Sequence, residues 1–583
     1  MGSPHHIAGS ASRLFPEDKA SAEYKALSVI AETLAHPQRT LLSAFIQHAV
    51  DREFASRFFL DEISGQKKAT VSEFLVDWAS LLRKVRPVAS KDLEESLRRQ
   101  IWRRDGGQCC ISKVQLGKDN NEYPLFVYVL SPLLFHDGDM AQNGRLYNIL
   151  AAYIGELQLQ NLGSLEDRNI ASSRPDLSDQ LMLLSPRMYE HFANGRLSFE
   201  SRPLEPTKDS AQYFMKVNDF IPVNQVEHFR FITLENKAVG LASLPNAQLF
   251  EVHHRFADAL AWLEVLEHMK PTHHSPHNLK TPTMARSSAE VPSKKSWIQW
   301  YIQTVTQIFQ SLWIHTPVFF RAFAYKRLAS IATRLYGYTG SERIHRLPFN
   351  LYLRVGSSHW ASKHQAEFES LRLVEKHTQV PAPRGIDAIQ YSDSSFLLMT
   401  GLSGKGIGLM LATMTDEQVD AVVQDLKGYI AELRHIPNKT GSGFQICNAL
   451  GGGILDWRIG DSQRKELRFQ DETAFNKCLT HDLPLNEDAW KQISRPHSAR
   501  HDIVFTHADL NLRNILVDRN GKISGIVDWE CAGWFPEYWE YSKMHFTVRH
   551  TARWIADVVD QVFPGYRDEL YVEDMLSSMA PSW

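Results

Sequence analysis

Four polar residues near the C-terminus stand at a spacing that could do chemistry: His507, Asp509, Asn514 and Asp528, all within the segment IVFTHADLNLRNILVDRNGKISGIVDWECAG. Local rules place them. Ile503 to Phe505 is a short apolar run, THADLNLRN is a polar loop, Ile515 to Val517 is a strand, Asn520-Gly521 is a two-residue hairpin turn, and Ile523 to Val527 is the returning strand. In that hairpin Asn514 falls within one residue of standing opposite Asp528, with Cβ atoms roughly 5–8 Å apart. A carboxylate and an amide oxygen so placed can share one hard cation such as Mg²⁺, whose other ligands are phosphate oxygens and water. Asp509 precedes Asn514 on the same loop and has the reach to accept a proton from an attacking hydroxyl. Moving a phosphoryl group requires such a layout, because the protein mainly positions the nucleophile and neutralises phosphate charge.

The spacing His507-x-Asp509-x-x-x-x-Asn514 followed by Asp528 matches a kinase catalytic loop and its metal-binding Asp, with Trp529 in place of the usual Phe. FTHADLNLRNILVD and GIVDWECAGWFPEYWEY resemble the aminoglycoside phosphotransferase/choline kinase-like family, in particular its large fungal branch. The resemblance runs over roughly residues 315–580 and includes RLPFNLYLR, LVEKHTQVPAP, ELRHIPNKT and LGGGILDWR. It implies a two-lobed kinase-like domain, a small mixed lobe above a helical lobe, with ATP and Mg²⁺ as cofactors. It implies that Asp509 is the catalytic base, that His507 supports the loop, and that Asn514 and Asp528 hold Mg²⁺. Met399 would lie near the adenine.

The same resemblance places a phosphate-gripping Lys where this chain has Arg354, and its helical partner at Glu367. Arg keeps the charge and can pair with Glu367 bidentately, but it is bulkier than Lys and not a neutral replacement. Two readings follow: a phosphotransferase acting on a hydroxyl of a small molecule, or a nucleotide-binding scaffold without activity. Gly337 and Gly340 do not form G-x-G-x-x-G, and SGKGIG (residues 403–408) lacks P-loop spacing, so plain turns are expected there. No A-P-E segment follows Asp528, which argues against protein substrates. Trp534, Pro536, Glu537, Trp539, Glu540 and Tyr541 could receive a cationic substrate; a packing role is the favoured reading.

Several elements must position this segment. TDEQVDAVVQDLKGYIAELRHIP reads as a helix with a Thr415–Gln418 capping box and a stop at Pro437. A helix from about Ser362 to His377 ends before Val380-Pro381-Ala382-Pro383, and LPFNLYLRV reads as one strand. Helices are expected from Trp297 to about Tyr336; glutamines interrupt the aromatic-rich stretch 297–320, which therefore reads as amphipathic and not as a membrane span.

The chain has 583 residues, too long for one core. The expected organisation is α+β: residues 20–270 a mainly helical α+β domain, 271–296 a Pro- and Ser-rich linker, and 297–583 the kinase-like domain. In the first block, RRQIWRRDGGQCCISK (98–113) and LLSPRMYEHFANGRLSFES (183–201) resemble the opening and closing segments of HNH nuclease-like domains. The metal-binding histidines are missing: Val129 to Pro132 and Tyr189 stand in their places, and although Asp176 or Asp179 could ligate a metal, the activating histidine is absent. A degenerate HNH-like core without nuclease activity is expected. His136, Asp137 and Asp139 read as a polar turn, and His273, His274 and His277 as solvated linker. Arg98, Arg99, Arg103 and Arg104 form a basic patch that could meet phosphates, and read equally as an ordinary solvated helix face. A net charge of −3 gives no global basic field, so avid nucleic-acid binding is not implied. Five scattered cysteines, of which Cys109 and Cys110 read as small buried residues, imply a reducing, cytoplasmic setting.

Overall fold

A computed structural model describes residues 9–64, 69–117, 123–136, 138–142, 144–171, 177–200, 207, 209–217, 231–269, 312–337, 343–481, 483–546, 551 and 553–579. The linker histidines, Asp137, Asp176 and Gly340 lie outside these residues. The chain divides into two compact units, Met1–His273 and His274–Trp583. Among the described residues no helix is long and apolar enough to cross a membrane.

The first unit is built on helices α1 (Ala22–Thr33), α2 (Gln38–Gln47), α3 (Arg52–Ser64) and α4 (Val71–Val85). Phe74, Leu75, Trp78, Leu81 and Leu82 of α4 fall at helical spacing, and all are buried in one core. Two three-stranded antiparallel sheets and further helices, the longest described being Ala247–Met269, pack with them. One sheet orders β1 (Val88–Ala89), β2 (Leu125–Tyr128) and β3 (Leu181–Leu184); the other orders β4 (Leu197–Phe199), β5 (Ser210–Val217) and β6 (Phe231–Glu235). Cys109 and Cys110 are buried free thiols. One expectation fails at the end of helix α5 (Glu95–Arg104): Arg104 is not solvated but fully buried. Its Nε and Nη2 donate to the two oxygens of Asp105 at 2.7 and 2.9 Å. Nη1 donates to the carbonyls of Ser178 and Ser243, and Nη2 also to that of Leu181. A buried guanidinium is tolerated because all five of its donors find acceptors.

In the second unit, α6 (Val318–Tyr336) lies against a four-stranded antiparallel sheet ordered β7 (Ile344–Leu347), β8 (Leu351–Ser357), β10 (Ser394–Thr400), β9 (Gly385–Tyr391). The expected helix from Trp297 is described only from Leu312, and Thr316-Pro317 interrupts the helical structure before α6 begins. Asp387 of β9 ties α6 down: it accepts from Arg321 at 2.5 Å and from the Tyr325 hydroxyl at 2.6 Å. LPFNLYLRV is not one strand. Pro348 brings no amide hydrogen to a ladder, and Phe349 and Asn350 adopt left-handed φ of 61° and 57°, so the run folds back as the β7–β8 hairpin with Leu347 opposite Leu351.

Strand alternation then sorts the side chains. Leu353, Phe396 and Leu398 pack with α6, while Leu397 and Met399 join a second core with Leu371 and Val374 of α7 (Ala361–His377). Arg354 is paired with Leu397 in register and therefore emerges on the α7 face.

The larger lobe is led by α8 (Asp416–Arg434), which starts at the expected Thr415–Gln418 capping box and buries Val419, Val422, Val423, Leu426, Ile430 and Leu433. Two small antiparallel sheets carry the segment of interest. β11 (Lys405–Gly406), β14 (Ile515–Val517) and β15 (Ile523–Ile526) form one; β12 (Cys447–Asn448), β16 (Gly533–Pro536) and β13 (Ile503–Thr506) form the other. SGKGIG thus supplies an edge strand and a turn. Helix α9 (Trp539–Phe546) follows β16.

Candidate active site

β13 delivers the chain into the loop 507–514, and β16 returns it antiparallel, with Thr506 opposite Gly533. Between them the β14–β15 hairpin folds out and back. Its register puts Ile515 opposite Ile526, and the Val527 amide donates to the Asn514 carbonyl at 2.9 Å. Asp528 is the next residue, as the hairpin reading required. The turn itself differs. The Gly521 amide bonds the Asp518 carbonyl, the Asp518 amide bonds the Lys522 carbonyl, and Gly521 has φ 81°, so the loop holds three residues, 519–521. A register shift at Leu516/Val517 absorbs the extra residue and restores the pairing at Asn514.

His507 is fully buried and shapes the loop from within. Its Nδ1 accepts the Asp509 amide at 3.2 Å, its Nε2 lies 3.1 Å from the Val527 carbonyl, and its ring packs on Trp529 at 4.5 Å. Those partners fix the tautomer with hydrogen on Nε2. Burial drops its pKa to about 4, so the ring is neutral near pH 7. Both ring nitrogens are thus engaged with backbone, one within the loop and one just past the end of β15. Trp529 is anchored by its own bond from Nε1 to the Ile526 carbonyl, 2.9 Å.

Asp509 is held from both sides. Asn511 Nδ2 donates to Oδ1 at 3.2 Å and Asn514 Nδ2 to Oδ2 at 2.9 Å. Burial pushes its pKa up to about 6, against the pull of the Lys543 ammonium. Lys543 is buried on Asp456 at 2.8 Å, and Asp456 also accepts from Trp539 Nε1. Glu540, on the same helix α9, accepts the amides of His507 and Ala508 at 2.8 and 3.2 Å, and Ala508 takes a left-handed φ of 63°. Trp534, Trp539 and Tyr541 are buried, so that segment packs beneath the loop.

Arg354 departs from expectation. It does not pair bidentately with Glu367; its Nε lies 3.4 Å from Glu367 Oε2. Instead Nη2 donates to Asp528 Oδ1 at 2.6 Å and Nη1 donates to Glu530 Oε2. The longer side chain reaches past the helix carboxylate to the two beyond it. Burial raises the pKa of Glu367 to about 8 even with Arg354 beside it, and burial also raises that of Glu530. Met399 is buried one residue before the end of β10, where the chain leaves the small lobe.

The structure brings His507, Asp509, Asn514 and Asp528 together and adds Arg354 across from them. Sequence reasoning missed the roles of Asn511, Glu530 and Glu540. Glu530 had a weak signal, a second carboxylate two residues from Asp528. Glu540 had none, since only the β13–β16 pairing brings α9 under the loop.

Residues 342–570 match the model of the phosphotransferase enzyme family (APH). No curated protein matches the chain. Among solved structures it is similar to APH(2")-IIia in complex with GDP and kanamycin: 16% identity, 44% of this chain, 90% of that chain, TM-score 0.30. It is also similar to aminoglycoside phosphotransferase APH(3'')-Id from Streptomyces rimosus with ADP and streptomycin: 13% identity, 42% of this chain, 92% of that one, TM-score 0.28. A third is aminoglycoside-3'-phosphotransferase of type VIII: 16% identity, 42% and 91% covered, TM-score 0.28.

Proposed function

We propose that the phosphotransferase-family domain at residues 342–570 transfers the γ-phosphate of ATP to a hydroxyl group of a small molecule, with Asp509 as the base. The observation that carries the reading is the convergence of three oxygen-bearing side chains on one loop–hairpin unit. Asp509 is clamped by Asn511 and Asn514, and Asn514 stands one residue from opposite Asp528. A carboxylate fixed in direction and poised near neutrality suits orientation and deprotonation of a hydroxyl.

The donor set fits Mg²⁺. Asn514 engages its amide nitrogen with Asp509, which leaves its oxygen as a donor, and the Asp528 side chain is 35% exposed. Asn514 and Asp528 would hold the ion, which when bound neutralises charge on the phosphates. Asp509 orients the acceptor hydroxyl and takes its proton. Asn511 and Asn514 keep Asp509 in place, and His507 with Glu540 holds the loop backbone.

The test compares ATP turnover with Mg²⁺ for the full chain and for Asp509→Ala and Asp528→Ala, across a pool of small alcohols. Loss of γ-phosphate transfer by about 10³-fold or more in both variants is expected. Turnover untouched by either substitution overturns the reading.

A second reading, a nucleotide-binding scaffold without turnover, is favoured by one observation: Arg354 is engaged with Asp528 and Glu530 instead of being free for phosphates. Metal-dependent nucleotide binding with no transfer, unchanged by Arg354→Lys, would select it. For the first unit, the HNH-like resemblance supports a scaffold without nuclease chemistry.

A further inference from the structure

Arg354 is buried, and its guanidinium meets three acidic side chains. Glu367 is the most distant of them. The two close contacts are to Asp528, a proposed metal donor, and Glu530. Both sides of this contact are anchored in the fold. Asp528 and Glu530 flank Trp529, which is fully buried and bonded to the Ile526 carbonyl, and Asp528 itself adopts a left-handed φ of 70°. Arg354 sits mid-strand in β8, paired on both sides, opposite Ile344 of β7 and Leu397 of β10. A guanidinium offers a fork that can hold two carboxylates at once, whereas an ammonium on a shorter stem offers a single point charge. The substitution of Arg for Lys therefore changes which groups the small-lobe cation reaches.

We infer that Arg354 is a tethered counter-cation that keeps a free divalent metal off Asp528 and Glu530 in the nucleotide-free protein. The inference rests on the reading of Asn514 and Asp528 as the metal donors. Its physical basis is charge. A fixed cation about 5 Å from an incoming divalent ion opposes its binding by one or more powers of ten at an effective dielectric near 20. Release of Asp528 forfeits a buried charge-assisted bond from Arg354 Nη2, and an anion that takes the place of the carboxylate offsets that loss. Phosphate oxygens are such an anion, and they match the fork as well as carboxylates do. A polyphosphate alone meets Asp528 and Glu530 with their counter-charge already engaged. Metal and polyphosphate thus each favour the other's binding, by reciprocal linkage.

The test is Mn²⁺ binding to the nucleotide-free full chain, followed by electron paramagnetic resonance of the free ion. Arg354→Gln is expected to bind Mn²⁺ at least about tenfold more tightly than the wild type, with Arg354→Lys in between, and Arg354→Gln/Asp528→Asn should lose the gain. Equal Mn²⁺ affinity in wild type and Arg354→Gln overturns the inference. Thermal unfolding of each variant checks folding. Should Arg354→Gln not fold, Arg354→Lys decides: tighter Mn²⁺ binding than wild type supports the inference, and unchanged affinity overturns it. A non-hydrolysable ATP analogue should bind the wild type at least about tenfold more weakly in EDTA than in Mg²⁺; equal affinity counts against the linkage. A gain in Mn²⁺ affinity with no analogue binding in any variant supports the counter-cation and overturns the phosphotransferase reading, so the two fail separately.

Discussion

Neither oxygen of Asp509 is free to turn, since Asn511 holds one and Asn514 the other. Asn511 also accepts the Arg513 and Asn514 amides, so one buried amide both braces the loop and aims the carboxylate. Asn511→Ala is expected to lower kcat about 10–100-fold with little change in KM, measured by steady-state transfer kinetics. Beneath the loop, burial lifts the pKa of Glu540 from 4.5 to about 7, although backbone amides at 507, 508 and 510 pull the other way. The folded state then binds more protons than the unfolded state between those values. Stability contributed by Glu540 is fully present below pH 4.5 and is lost as pH rises through 7, by up to about 3 kcal/mol. Denaturant unfolding at pH 5 and pH 8 should show that loss in the wild type and a smaller one in Glu540→Gln. An equal pH dependence in both would remove Glu540 from the account.

At the scale of elements, Gln418 joins two structures distant in sequence. Its Oε1 accepts the Thr415 amide as part of the α8 capping box, and its Nε2 donates to the Asn520 carbonyl at 3.0 Å. The start of α8 thereby braces the turn of the hairpin that places Asn514 and Asp528. Gly521 occupies that turn at φ 81°, and an added Cβ would lie 3.1 Å from the Gln418 side chain. Gly521→Ala should cost about 1 kcal/mol or more. A change below about 0.3 kcal/mol in chemical denaturation would mean that the turn relaxes freely. The capping box and the helix were legible in sequence because both are local, fixed by residues three or four apart. The hairpin register was legible for the same reason, although its turn length was not. Asn-Gly serves two-residue and three-residue loops alike, and which one forms depends on a shift within the strands.

For the molecule as a whole, the two units have separate cores, and each contains a buried arginine with partners both near and far in sequence, Arg104 in the first and Arg354 in the second. In the first unit Arg104 and Asp105 tie together residues 178–183 and Ser243, because Asp105 also accepts the Leu183 amide at 3.0 Å. Arg104→Met should destabilise that unit by about 3–5 kcal/mol, because Asp105 and three carbonyls lose their donor. Hydrogen exchange at Leu183 would report it, with protection in the second unit unchanged. Unaltered exchange at Leu183 would show that the cluster is dispensable.

The sequence by itself determined the parts that depend on neighbours along the chain: the helices with their caps, the hairpin, and the loop on which Asp509 and Asn514 stand. It also determined that Arg stands at position 354. Only the tertiary structure decided what that arginine holds, because Glu367, Asp528 and Glu530 lie on separate elements and a guanidinium can reach any of them. It likewise decided that Glu540 underlies the loop and that Arg104 is interior. Charge pairing in a buried site depends on which side chains converge in space, and spacing along the chain does not encode that.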